Sequence, residues 1–90
     1  MADSPDTPAI EYPALYTFRF VGKRSDTLRD DVRLAVQSVV GHIADDSVTE
    51  HPSKAGNYVA VHVVCLLRTE QQRRDVYSKV KENPAIVLSL

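Results

Sequence analysis

No stretch of this sequence approaches the roughly 18 consecutive apolar residues that a membrane-spanning helix requires, and none is expected to cross a bilayer. Nor is a secretory leader expected: the opening MADSPDTPAIEYP is acidic and proline-rich, without the basic start and apolar run of a signal. Cys65 stands alone, which excludes an internal disulfide. These absences together place the chain in the cytosol. A basic excess is missing too, with 11 Lys and Arg against 12 Asp and Glu and a net charge of −1. Phosphate neutralisation supplies most of the affinity of nucleic-acid binders, so that class loses ground. Internal repeats and coiled-coil heptads are absent.

What is there fits one small domain. Ninety residues with 43% apolar and 26% charged content are ordinary for a folded globular chain. Pro5, Pro8 and Pro13 among small polar residues make residues 1–13 a flexible tail ahead of a domain over 14–90. Leu15 to Val21 alternates, with Tyr16, Phe18 and Phe20 on one side and Thr17, Arg19 and Val21 on the other, which predicts a half-buried strand ended by Gly22. Ser25 to Val40 carries Leu28, Val32, Ala35, Val36, Val39 and Val40 on one helical stripe, with Ser25 or Thr27 as cap and Gly41 as stop.

Asp45 to His51 reads as a short strand, PSKAGN as a turn, and Asn57 to Leu67 as a long strand. The latter is apolar on one side (Val59, Val61, Val63, Cys65, Leu67) and mixed on the other, the pattern of a central strand. Thr69 to Glu82 is a second helix, with a Thr69–Gln72 capping box and an apolar stripe of Val76, Tyr77 and Val80, halted by Asn83-Pro84. Ala85 to Leu90 closes the chain as a strand with Ile86, Leu88 and Leu90 on one face.

The order strand, helix, strand, strand, helix, strand predicts an α+β fold in which right-handed crossovers put both helices on one face of a four-stranded antiparallel sheet. The core combines Tyr16, Phe18, Phe20, Val59, Val61, Val63, Ile86 and Leu88 with the two helix stripes. The other sheet face stays open and carries Thr17, Arg19, Tyr58, Ala60, His62, Val64, Leu66 and Val87.

Three segments resemble the YbeD-like family of small bacterial proteins. They are Tyr12-Pro13 with Tyr16, Phe18, Phe20 and Gly22; the turn Ser53-Lys54-Ala55-Gly56-Asn57-Tyr58; and Asn83-Pro84 with Ile86, Val87 and Leu88. The resemblance spans roughly residues 10 to 90. The chain departs from the family pattern by the extra Ala55, by Ala60 in place of a small hydroxyl residue, and by the ending Leu88-Ser89-Leu90. The resemblance implies a ferredoxin-like βαββαβ fold akin to ACT regulatory domains, and carries over no activity. By analogy of fold alone it implies regulation or ligand sensing.

Chemistry-bearing residues are few. A metal site needs convergent ligands. If the hairpin turn centres on Lys54-Ala55, His51 faces Tyr58 and His62 lies on the order of 13 Å further along, so neither a metal nor a cofactor is expected. Cys65 belongs to the most apolar strand face and reads as a buried structural thiol. No nucleophile–base or carboxylate pair can be placed, which argues against an enzyme. Gly22, Lys23, Arg24 and Ser25 join strand to helix with two cations and a helix start, a setting for a small anion, although a solvated basic loop explains them as well. Arg73, Arg74, Lys79 and Lys81 on the second helix read as a solvated face, since Glu70, Asp75 and Glu82 lie among them.

Apolar residues on the open face mark association, and a homodimer through this face, or side by side through an edge strand, is the expected form of it. The interface set is Arg19, Tyr58, Ala60, His62, Val64, Leu66 and Val87. The expected function is therefore a non-catalytic regulatory or interaction domain that binds a protein partner, a second copy of itself or a small anionic metabolite. RNA or single-stranded nucleic acid stacking on the open face is the rival reading. In that reading Tyr58 is the aromatic, while Thr17, Arg19, Ala60 and His62 stand where more would be wanted.

Overall fold

The computed structural model describes residues 10–90. Its elements are β1 (Ala14–Lys23), α1 (Leu28–Val40), β2 (Val48–Pro52), β3 (Tyr58–Leu67), α2 (Glu70–Lys81) and β4 (Ile86–Ser89), with a 3₁₀ turn at Asp45–Ser47 ahead of β2. The sheet order is β2-β3-β1-β4, every neighbouring pair antiparallel. This is the ferredoxin-like α+β fold that the order of elements predicts.

The central pair explains the layering. β1 and β3 run side by side without a break, from Ala14 opposite Leu67 to Lys23 opposite Tyr58. Side chains alternate across a strand, so Phe18 and Phe20 fall on the same side as Val59, Val61, Val63 and Leu67. All are buried, together with Leu28, Val32 and Val36 of α1 and Val76 and Val80 of α2. The rings of Phe18 and Phe20 stack at 5.7 Å, and Tyr77 meets both edge-on. Such aromatic geometry adds to the burial of apolar area.

The helices start and stop for local reasons. α2 begins at Thr69, whose Oγ1 accepts from the Gln72 amide at 3.1 Å, while Gln72 Oε1 accepts from the Arg68 amide at 2.8 Å, one residue earlier than the usual capping box. α1 begins at Leu28 rather than Ser25. Thr27 precedes it, and its hydroxyl donates to the Asp31 carboxylate at 3.0 Å instead of capping a backbone amide. Gly41 follows α1 at φ +92, donating to Gln37 O, a backbone state that favours glycine.

Four expectations need correction. Gly22 does not end β1. It is buried inside the strand, where an added Cβ would meet Leu28 Cδ1 at 3.0 Å and the Ala85 carbonyl at 3.1 Å. Glycine is there because strand, helix and the approach to β4 crowd one point. The second strand starts later, at Val48, because Asp45–Ser47 wind into the 3₁₀ turn. Leu88 is not a core residue: it stands 49% exposed. The β1–β4 register slips between Val21 and Gly22, which face Leu88 and Ile86 respectively, so Val87 is an extra residue. That bulge leaves Ile86 against the core and turns Leu88 to the open face opposite Val21. Leu90 follows it there, exchanging backbone hydrogen bonds with Arg19 at 2.7 and 3.3 Å.

Of the stretch read as a tail, residues 1–9 lie outside the described residues; Tyr12 packs against the core. Replacing Gly22 by alanine forces Leu28 and the Ala85 carbonyl apart, and overpacking of this kind costs about 1–3 kcal/mol. Chemical denaturation is expected to show that loss with an unchanged m-value.

Candidate functional site: the open sheet face

The register that buries Phe18 and Phe20 presents the other residues of β1 and β3 on the open face. It pairs Leu15 with Leu66, Thr17 with Val64, Arg19 with His62, Val21 with Ala60 and Lys23 with Tyr58. Arg19, Tyr58, Ala60, His62, Val64 and Leu66 thus lie on one surface as their alternation implies. Val87 is exposed at the β4 bulge. Leu15 is 75% exposed, and Leu88 and Leu90 join the same face. Leu15 was legible, since it opens the alternating run. Leu88 and Leu90 were not, because their placement follows from the bulge.

The face has a polar middle. The β2–β3 hairpin closes with Ser53 N–H donating to Tyr58 O at 2.9 Å, and Gly56 at φ +78 makes the turn. This register sets His51 opposite Ala60 and Thr49 opposite His62. His51 therefore lies diagonal to His62, and the two rings sit 4.1 Å apart, tilted by 32°. The expected separation of on the order of 13 Å is wrong because the turn is longer by the span of Gly56 and Asn57. The histidines stack rather than converge, and His51 Nε2 is within 3.0 Å of Thr49 Oγ1. Burial first, then the neighbouring His51 and Arg19, hold His62 below the usual histidine range. Among the described residues no group of three or more His, Cys, Asp or Glu side chains is arranged to hold a metal ion.

The strand-to-helix loop is divided. Arg24 and Ser25 line a cleft of about 420 Å³, whereas Gly22 and Lys23 do not. Its other walls include Asp26, Asp30 and Glu50, which outnumber the cations Arg24 and Arg29. Arg29 is already engaged, donating to Asp45 O at 2.6 Å, Asp45 Oδ1 at 2.9 Å and Val48 O at 3.1 Å. This balance opposes an anion. Cys65 is buried, and burial pushes its thiol up to about 11, so it is protonated at neutral pH and a poor nucleophile.

One cluster escaped the sequence reading. Tyr12 Oη donates to Glu70 Oε1 at 2.6 Å, and Arg73 donates to both Glu70 oxygens at 3.2 and 3.0 Å. Arg73 also lies over the Tyr16 and Tyr77 rings at 5.9 and 5.7 Å, while the Tyr16 and Tyr77 hydroxyls meet at 3.1 Å. Glu70 and Arg73 lie three residues apart on α2, but Tyr12 and Tyr16 come from a segment far off in sequence, so no local pattern signals their joining. Every partner in it is spoken for, and it braces β1 against α2.

The fold and this surface define a ferredoxin-like domain with one apolar-rimmed open face. The model of the family described as protein of unknown function DUF493 matches residues 7–90, and the chain belongs to that family. It is 26% identical to the UPF0250 protein RSc0326 of Ralstonia nicotianae over 97 aligned positions spanning both chains in full. It is 31% identical to the UPF0250 protein of Shewanella loihica over 78 positions, 86% of this chain and 85% of that one. The solution structure of protein HP0495 from H. pylori superposes with a TM-score of 0.78 at 19% identity, covering 100% of this chain and 94% of that one. That likeness concerns the fold.

Arg73 and Tyr12, by hydrogen bonding, hold the Glu70 carboxyl down to about 2. A folded value below the unfolded one means the stabilisation is complete above the ordinary carboxylate range near 4.5 and is lost as pH falls from there towards 2. Glu70→Gln is expected to be less stable than the parent at neutral pH and to flatten the pH dependence of the denaturation midpoint across that window.

Proposed function

We propose that this chain is a non-catalytic, cytosolic interaction domain that receives a protein partner on its open sheet face. The observation that carries the reading is the run of exposed apolar side chains on that face: Leu15 and Leu66 side by side, Val64 next to them, and Leu88 and Leu90 along the β4 side. Solvated sheet faces ordinarily alternate apolar-in and polar-out, and contiguous exposed apolar surface marks association. The polar middle of Arg19 and His62 supplies orientation, as a few polar groups do within apolar interfaces. The protonated, buried thiol and the fully engaged Glu70 cluster support a binding rather than a catalytic role, and a lone thiol suits a reducing compartment.

A small anionic metabolite at Arg24 and Ser25 is less well supported, because Asp26, Asp30 and Glu50 line the same cleft. Nucleic acid on the open face has Tyr58 and Arg19 in its favour, and the net charge of −1 against it.

Titration of the isotope-labelled chain separates the three. The ligands are a metabolite pool, an RNA oligonucleotide, and the protein fraction retained by immobilised parent chain but not by Leu66→Lys. The expected result is amide shifts at Leu15, Val64 and Leu66 with the protein fraction, weakened about tenfold or more by Leu66→Lys. Shifts confined to Arg24–Asp26 with a metabolite, or across Arg19, Tyr58 and His62 with RNA, would overturn the reading.

A further inference from the structure

Four stretches of the sheet lack a strand neighbour on one side. The outer end of β3, Val64–Leu67, lies beside Ile43, Ala44 and Ser47, and of the other three two are guarded. β2 is short and carries Glu50, His51 and Pro52. β4 is shorter still and bulged at Val87. Charge, proline, bulges and brevity are the usual means by which an edge strand avoids pairing with another chain. The third edge is the overhang of β1. Because β4 and Leu90 reach only to Arg19, the outer side of Ala14–Phe18 faces no strand among the described residues. That stretch, Ala-Leu-Tyr-Thr-Phe, contains neither a charge nor a proline.

Backbone direction fixes which groups are left over. Arg19 and Lys23 bond outward to Leu90 and Ala85, while Arg24 bonds to Asn57 at the end of β3. Outward and inward residues alternate along an antiparallel strand, so Leu15 and Thr17 aim both N–H and C=O at the open edge. Among the described residues neither has a backbone partner there.

We propose that a second copy of this chain pairs with this edge, β1 antiparallel to β1, about a two-fold axis at Tyr16. The register follows from what is already occupied. An axis at Thr17 would set Leu15 against Arg19 of the second copy, where Leu90 lies. An axis at Leu15 would set Thr17 against Pro13, which has no N–H to give. The axis at Tyr16 matches Leu15 with Thr17 of the second copy and Thr17 with its Leu15, each pair exchanging both N–H···O bonds; Pro13, which precedes β1, then falls opposite Arg19 and Leu90, so the pairing ends at Ala14. Tyr16 then faces its own counterpart on the helix side, and cross-strand aromatic pairs are favourable. The interface is isologous, as closed dimers are, and no like charges meet at its centre. The two sheets become one of eight strands, and the Leu15, Val64 and Leu66 clusters of the two open faces become neighbours. This deepens the reading of the chain as an interaction domain by naming one partner and its edge.

The test combines sedimentation of the full chain across concentration with amide hydrogen exchange. The expected result is a dimer whose population tracks the slowing of exchange at Leu15 and Thr17. Thr17→Pro removes a donor with no partner in the monomer, so the chain stays folded. With two neutral hydrogen bonds lost per dimer, dissociation is expected to rise about thirtyfold. A chain that stays monomeric at millimolar concentration overturns the proposal. So does a dimer that Leu66→Lys dissociates while Thr17→Pro and the two amides are indifferent, a result that would leave the open-face reading standing. Protection of both amides that ignores concentration and disappears on removal of residues 1–9 also overturns it.

Discussion

The unbroken pairing of β1 with β3 is the constraint from which the rest of the molecule follows. Ten residues of each strand stay in step without a bulge, from Ala14 with Leu67 to Lys23 with Tyr58. A slip of one residue would send Phe18, Phe20, Val61 and Val63 to solvent, so the register is fixed by the burial of those side chains. Once it is fixed, the odd-numbered residues of β1 belong to the open face. Their backbone groups point away from β3. One ladder thus sets the core, the open face and the hydrogen-bonding direction of the outer edge.

How much of this the sequence discloses depends on how far each feature lies from a single element. β3 and α1 are legible because their periodicity is local: Val59, Val61 and Val63 alternate, and Leu28, Val32 and Val36 recur at helical spacing. The open-face residues Arg19, Tyr58, Ala60, His62, Val64 and Leu66 follow from the same alternation. β4 defeats the method. Its alternation is real as far as Ile86, but the extra residue at Val87 reverses the faces of Leu88 and Leu90, and no residue type there advertises a bulge. Nearby, Gly22 is crowded by Leu28 and the Ala85 carbonyl. Its reason for being glycine is a close approach of three elements, and sequence alone reads it as a strand end.

The histidines show how sensitive such readings are to loop length. A hairpin turn shifted by one position at its centre moves the opposite residue by two. His51 then faces Ala60 instead of Tyr58, and its ring comes to rest 4.1 Å from that of His62. The consequence is electrostatic as well as geometric. His62 is held below its usual range first by burial and then by His51 and Arg19. The Glu70 cluster is the reverse case, since its opposite charges neutralise each other within α2 while a remote segment supplies the tyrosines Tyr12 and Tyr16. The charge pairing is legible within α2, but nothing there or on the approach to β1 foretells the arrival of the tyrosines.

These electrostatic choices bear on what the domain can touch. Several charged groups on the helix side and in the β1–α1 cleft are paired or opposed: Arg29 by Asp45, Arg73 and Arg74 by Glu70, Arg24 by the carboxylates of its cleft; Arg33 of α1, whose Nε is buried without a partner, is an exception. Pairing of this kind adds little stability at a surface, but it leaves little unbalanced charge there to draw an ionic ligand. The open face and the β1 overhang differ in kind. Their unspent capacity is apolar area and backbone hydrogen bonds, both of which are satisfied by another polypeptide rather than by a small ion. A surface whose remaining valence is main chain and hydrocarbon is matched by protein. That is the physical ground for proposing a polypeptide as the partner of this domain.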